Sequence, residues 1–169
     1  MKLHRVMSYL YTHPDIGLMM IVDTRDLGKV SVLNWVDADH AGDLRDSRST
    51  SGVVTMIHGT YGTHGAVEWL SRVQTGVSIG TPEAGYNAIV KGMKTSGIPI
   101  QILVEDAMSD RQQAVELLVK VDNSAAECVA QAGHSKAMAY MKKTQRVEES
   151  WVADALKNDA SDRKCEKCD

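Results

Sequence analysis

Residues 34–52 read N-W-V-D-A-D-H-A-G-D-L-R-D-S-R-S-T-S-G, and no other stretch limits the fold as tightly. An apolar, β-prone run at 30–36 stops at three aspartates, Asp37, Asp39 and Asp43, and small polar residues then lead into a second β-prone run at 53–57. The pattern presents carboxylates at the end of a strand. That suits a hard divalent cation, because Mg²⁺ takes oxygen ligands and is usually held by one or two protein carboxylates, with water and substrate phosphate filling its other positions. The ordinary alternative is that these aspartates shape turns and cap helices.

In chain order, Leu3, Val6, Met7 and Leu10 fall at helical spacing, and the pattern stops at T-H-P-D, where Pro14 closes a short helix. Residues 17–22 are apolar and 24–29 form a turn cluster, so 17–22 and 30–36 read as an antiparallel hairpin. Residues 53–57 and 66–70 read as further strands, joined by a glycine-rich turn. A helix starts at Thr81 with Pro82 in its first turn, runs to about 95 and is interrupted by Gly97 and Pro99, after which 100–108 resumes a helical stripe. Residues 116–121 form a buried strand ending in Asp122, and Asn123 starts a helix carrying Ala125, Ala126, Val129 and Ala130.

Two strands thus end in carboxylates, Asp37 and Asp122. Neighbouring strands lie about 4.8 Å apart, so adjacent strand ends can bring both within reach of one cation or a close cation pair. On residues alone this allows a phosphatase, a nuclease or a structural arrangement.

The 169 residues, 43% of them hydrophobic, suffice for one globular domain with tails. With no Phe and 9 Met, the expected core is aliphatic and methionine-filled, with Trp35, Trp69 and Trp151 as its large pieces. A net charge of −3 excludes a generally basic nucleic-acid binder but allows a local basic patch. Three cysteines cannot all pair, and no run of about 18 apolar residues or signal peptide is visible, so the expectation is an intracellular, cytoplasmic or nuclear chain with no membrane partner. Cys165 and Cys168 have C-x-x-C spacing, but a tetrahedral zinc site needs four ligands and no second pair exists.

Six blocks carry a resemblance: R-V-M-S-Y-L-Y-T-H-P-D-I-G-L (5–18), V-D-A-D-H-A-G-D (36–43), S-T-S-G (49–52), W-L-S-R-V-Q (69–74), T-P-E-A-G-Y-N-A (81–88) and V-D-N-S-A-A (121–126). In this order they resemble the polyprotein of Copia-type retrotransposons, from the end of the reverse transcriptase connecting segment through the ribonuclease H domain. The resemblance covers residues from about 3 to about 146. It implies a ribonuclease H-like α/β fold, a five-stranded mixed sheet with three antiparallel strands, flanked by helices. It also implies four carboxylates holding two Mg²⁺ ions that cut the RNA strand of an RNA–DNA hybrid, with the reverse transcriptase segment of the same polyprotein as partner.

By that pattern Asp37 is the first acid and Asp122 the third, while Asp39 and Asp43 keep their turn-forming role. The second acid stands immediately before the tyrosine of S-T-E-A-E-Y, where this chain has Gly85. Glu83 is two residues away, roughly 200° around the helix axis, and serves only after a local helix shift. The fourth belongs to a closing block, A-D-x-x-T-K, on a helix after a fifth strand. Neither that strand nor that helix is expected here, and the polar tail reads as disordered.

The expected organisation is a connecting-segment remnant at 1–16, a ribonuclease H-like domain at 17–156 and a disordered tail at 157–169. Lys136, Lys143 and Arg146 form a candidate track for hybrid phosphates, the ordinary alternative being a solvated helix surface. Two functions follow: an ancestral hybrid-cutting ribonuclease, or a catalytically inactive relic that at most binds nucleic acid.

Overall fold

The computed structural model describes residues 2–42, 46–111, 114–141, 149–157 and 162–168. Three ten-residue strands come first, β1 (Val30–Asp39), β2 (Thr50–Gly59) and β3 (His64–Val73), followed by β4 (Glu116–Val121) and β5 (Arg163–Lys167). The sheet order is β3-β2-β1-β4-β5. β1 runs antiparallel to β2 and β2 to β3, whereas β4 is parallel to β1 and β5 to β4. This is a ribonuclease H-like mixed α/β sheet with three antiparallel strands.

The helices are α1 (Lys2–Thr12), α2 (Thr81–Gly92), α3 (Ile98–Ala107), α4 (Ser124–Ala132) and α5 (Glu149–Leu156). In β1 the alternation of a pleated strand puts Val32, Asn34 and Val36 into the core, under α2. The largest fully buried side chains are Tyr86, Ile89, Met93, Leu117 and Met141, so the methionine-filled core is as expected. The tryptophans are not. Trp35 and Trp69 lie exposed on the uncovered face of the sheet, and Trp151 on α5 is half-buried.

The hairpin expected between 17–22 and 30–36 does not form. β1 already has β2 on one edge and β4 on the other, so 17–22 reaches only the outer strand, through a single antiparallel bridge, Ile21 to His64. Gly97 and Pro99 do not interrupt the helix either. A π-helical turn, Met93–Gly97, joins α2 to α3, and the Ile98 N–H reaches back five residues to the Met93 carbonyl. The wider turn accommodates Pro99, which has no N–H to donate. Bare backbone at Gly92 and Gly97 lets this helix approach β1: a Cβ would lie 2.9 Å from Asn34 Oδ1 at Gly92 and 3.1 Å from Asn34 Cγ at Gly97.

The tail required the largest correction. Residues 163–167 form the fifth strand, which the polar sequence had hidden. Its charges pair across to β4: Lys120 Nζ lies 2.7 Å from Glu166 Oε2, and Lys164 Nζ 2.5 Å from Glu116 Oε1. Such exposed pairs are each worth roughly 0.2–1 kcal/mol, so main-chain bonding and the burial of Cys165 are needed as well. Leu117 N–H donates to the Asp162 carbonyl at 2.7 Å, Cys168 N–H to the Val121 carbonyl at 2.6 Å, and Arg163 Nε to buried Gln101 Oε1 at 2.7 Å. Among the described residues no helix follows β5.

Candidate active site at the rim of the sheet

Val36 and Val121 are the last residues paired between parallel β1 and β4, so Asp37 and Asp122 come next on adjoining strands. Both are exposed. They line one cavity of about 340 Å³ together with Thr81 and Gly85 of α2 and Asn123 and Ser124 at the start of α4. The sheet therefore brings the two sequence-predicted carboxylates together, with Gly85 facing them.

Two helix starts frame the cavity. Asn123 caps α4, its Oδ1 accepting from the Ala125 and Ala126 N–H groups at 3.1 Å, and its Nδ2 donates to the Thr81 carbonyl at 3.0 Å. One side chain thus clamps the first turn of α2 to the first turn of α4. The N-terminal turns of both helices border the cavity that the two carboxylates line. The sequence marks Asn123 as a helix start, but nothing in it points to Thr81, 42 residues earlier.

Glu83 does not belong to the site. It is 2% exposed, accepts from the Ile79 N–H at 2.8 Å and accepts a hydrogen bond from the Tyr140 hydroxyl. It closes the N-terminal turn of α2, so the helix shift that would bring it to Asp37 is opposed by two partly buried bonds. Asp39 packs over Gly42 in the turn after β1, with Ala41 in the left-handed region at φ 53°. Asp43, Lys143 and Arg146 lie outside the described residues, and Lys136 is exposed.

Asp37 and Asp122 are the two carboxylates that line this cavity. Asp37 and Asp122 offer the one or two carboxylates that a hydrated Mg²⁺ usually takes from protein. Among the described residues no group of three or more His, Cys, Asp or Glu side chains could hold a metal ion. Cys165 is buried and Cys168 half-buried.

No family model matches the chain. Over 87 residues, 52% of the chain, it is 33% identical to a retrovirus-related Pol polyprotein from transposon RE2 of Arabidopsis thaliana, of which the match covers 5%. Over about half its length the chain is thus similar to a small part of a retrotransposon polyprotein. It is also 36% identical over 87 residues to secreted RxLR effector protein 161 of Plasmopara viticola. The match spans 55% of that protein, so the chain covers only about half of one relative and a small part of the other. Among solved structures, LC11-RNase H1 from compost gives a TM-score of 0.49 at 13% identity, covering 81% of this chain and 84% of that one. Prototype foamy virus protease-reverse transcriptase gives 0.40 at 13%, covering 88% of this chain and 18% of that one. The fold assignment rests on strand order and register rather than on these likenesses. No described helix is long and apolar enough to cross a membrane.

Proposed function

We propose that this is a Copia-type retroelement ribonuclease H-like domain that binds RNA–DNA hybrids, with hydrolysis of the RNA strand as its ancestral reaction. Residues 1–16 are then the end of the connecting segment, and the partner is the reverse transcriptase of the same polyprotein. The observation that carries the reading is the shared cavity of Asp37, Asp122 and Gly85. Two acids of the family pattern meet at one rim, and glycine stands where the pattern requires a third.

Asp37 and Asp122 would hold Mg²⁺, which supplies charge neutralisation at a scissile phosphate and acidifies a bound water. The chain's own contribution is positioning. Adjoining strands set the carboxylate spacing, and Asn123 fixes the two helix starts that border the cavity. With Gly85 in place of an acid, the pair holds metal weakly and leaves the attacking water without a base, so the chain binds hybrid without cutting it. Lys136, Lys143 and Arg146 remain the proposed phosphate track.

The deciding experiment pairs hybrid binding with cleavage of a labelled hybrid in Mg²⁺ and in Mn²⁺. The expected result is binding without cleavage. Cleavage that Asp37→Asn abolishes would overturn the loss of activity and establish the enzyme, and absence of binding would overturn both readings.

A further inference from the structure

A second cavity, of about 270 Å³, opens between the end of β3, the 74–76 loop and the outer side of α2. Three cations line it, Arg72, Lys91 and Lys94, with no aspartate or glutamate among the lining residues. In a chain with 22 acidic and 19 basic residues, that is a marked local separation of charge. Among the described residues neither Arg72 nor Lys91 has an anionic partner, and the Lys94 ammonium sits 4.4 Å from the centroid of the Trp151 ring. The cavity is also built at its base. Ser51 is 1% exposed and accepts from Gln74 Nε2 at 2.9 Å, while the same amide nitrogen donates to the Ala84 carbonyl at 2.9 Å, tying the loop to β2 and α2.

Its place in the sheet indicates the ligand. Ala38 pairs with Ser51, and Ser51 with Arg72, so the cavity lies at the same rim as Asp37, two strand spacings away. That is about 10 Å. Three cations without counter-charges suit a strongly charged oxyanion, and a chain of phosphodiesters is the ligand that can occupy this cavity and the Asp37–Asp122 cavity together.

We propose that Arg72, Lys91 and Lys94 form a backbone-phosphate site that seats a nucleic-acid strand running past the carboxylate rim. The inference rests on the hybrid-binding reading and adds to it a second anchoring point, distinct from the track at Lys136. Phosphate contacts of this kind position a strand without reading its sequence.

The test is fluorescence anisotropy with a labelled RNA–DNA hybrid, titrated in metal-free buffer at several salt concentrations. Arg72→Gln/Lys91→Gln is expected to weaken binding about tenfold at low salt and to make the log K against log salt slope shallower by about two. Lys91→Arg, which keeps the charge, is expected to bind like the parent chain, and Lys29→Gln, at the opposite end of β1, to leave binding unchanged. Matching thermal melts exclude misfolding, since Arg72 is exposed and Lys91 half-buried. Unchanged affinity and slope in the double variant, with the parent still binding, would overturn this site alone. A parent chain that binds no hybrid would overturn it together with the reading beneath it. A parent that binds through these residues but never cleaves supports the site whatever the fate of catalysis.

Discussion

Gly85 on α2 and Asn123 at the cap of α4 are packed so closely that a Cβ on the glycine would lie 3.2 Å from Asn123 Nδ2, and equally close to the Ala126 Cβ. Position 85 and the helix clamp therefore share one small volume. An acid at position 85 would extend from this spot toward Asp37 and Asp122 across the cavity all three line.

Gly85→Glu is accordingly the informative restoration. It is expected to tighten Mg²⁺ binding at least tenfold by calorimetry, because a third carboxylate joins the pair, and to bring metal-dependent hybrid cleavage above background. Helix propensity favours the change by about 1 kcal/mol, and crowding against Asn123 offsets much of that gain. The melting temperature should therefore stay close to that of the parent. Unchanged metal affinity in a folded variant would show that position 85 does not face the pair.

Glu83 is expected to behave as a structural residue. Glu83→Gln and Tyr140→Phe each disturb the partly buried bond between α2 and the 136–140 turn and should cost about 1–2 kcal/mol in denaturant melts. Neither should alter metal affinity. Burial, and then the bond to Glu83, push the Tyr140 hydroxyl up to about 12. Its native value is raised, so its contribution is fully present below the ordinary tyrosine value of 10.0 and is lost as pH rises through about 12. Ultraviolet titration should show a late-ionising component that is lost in Tyr140→Phe.

Asp26 ties the segment before β1 to the turn between β2 and β3. Its Oδ1 accepts from the Tyr61 N–H at 2.8 Å and its Oδ2 from the Thr63 N–H at 2.9 Å. Burial pushes the carboxyl up, but the backbone bonds from Thr63 and Tyr61 outweigh it and hold it below the ordinary 3.8. A depressed native value means that stability is present above 3.8 and is lost as pH falls through the native value. Asp26→Asn should lower stability at neutral pH and flatten the acid limb of a pH-dependent melt. An unchanged acid limb would count against the assignment.

The cysteines should separate by reactivity. Cys128 is exposed, whereas burial in β5 pushes the Cys165 thiol up to about 12, and only the thiolate alkylates readily. Iodoacetamide at neutral pH is expected to label Cys128 first and to reach Cys165 only on unfolding. Early labelling of Cys165, read by mass spectrometry, would show that β5 does not hold in solution.

The alternation through residues 30–39, the helix beginning at Thr81 and the cap at Asn123 were legible because each is local: pleat period, a first-turn proline and a short polar side chain act over a few residues. Asp37 and Asp122 were legible for the same reason, as charges placed where apolar runs end. Their meeting in one cavity, however, depends on β4 lying parallel beside β1, a pairing across more than 80 residues that no local pattern encodes. Tertiary structure alone decided the fate of the tail. R-K-C-E-K has too little apolar surface to read as a strand, and becomes one because β4 offers a free edge, Gln101 receives Arg163, and Glu116 and Lys120 meet its charges. It also decided the role of Glu83, which backbone and tyrosine donors draw away from the rim. The sequence by itself placed two carboxylates at strand ends and a glycine, Gly85, early in the helix that starts at Thr81. Packing set all three around one cavity, because side chains distant along the chain come together only when the sheet forms.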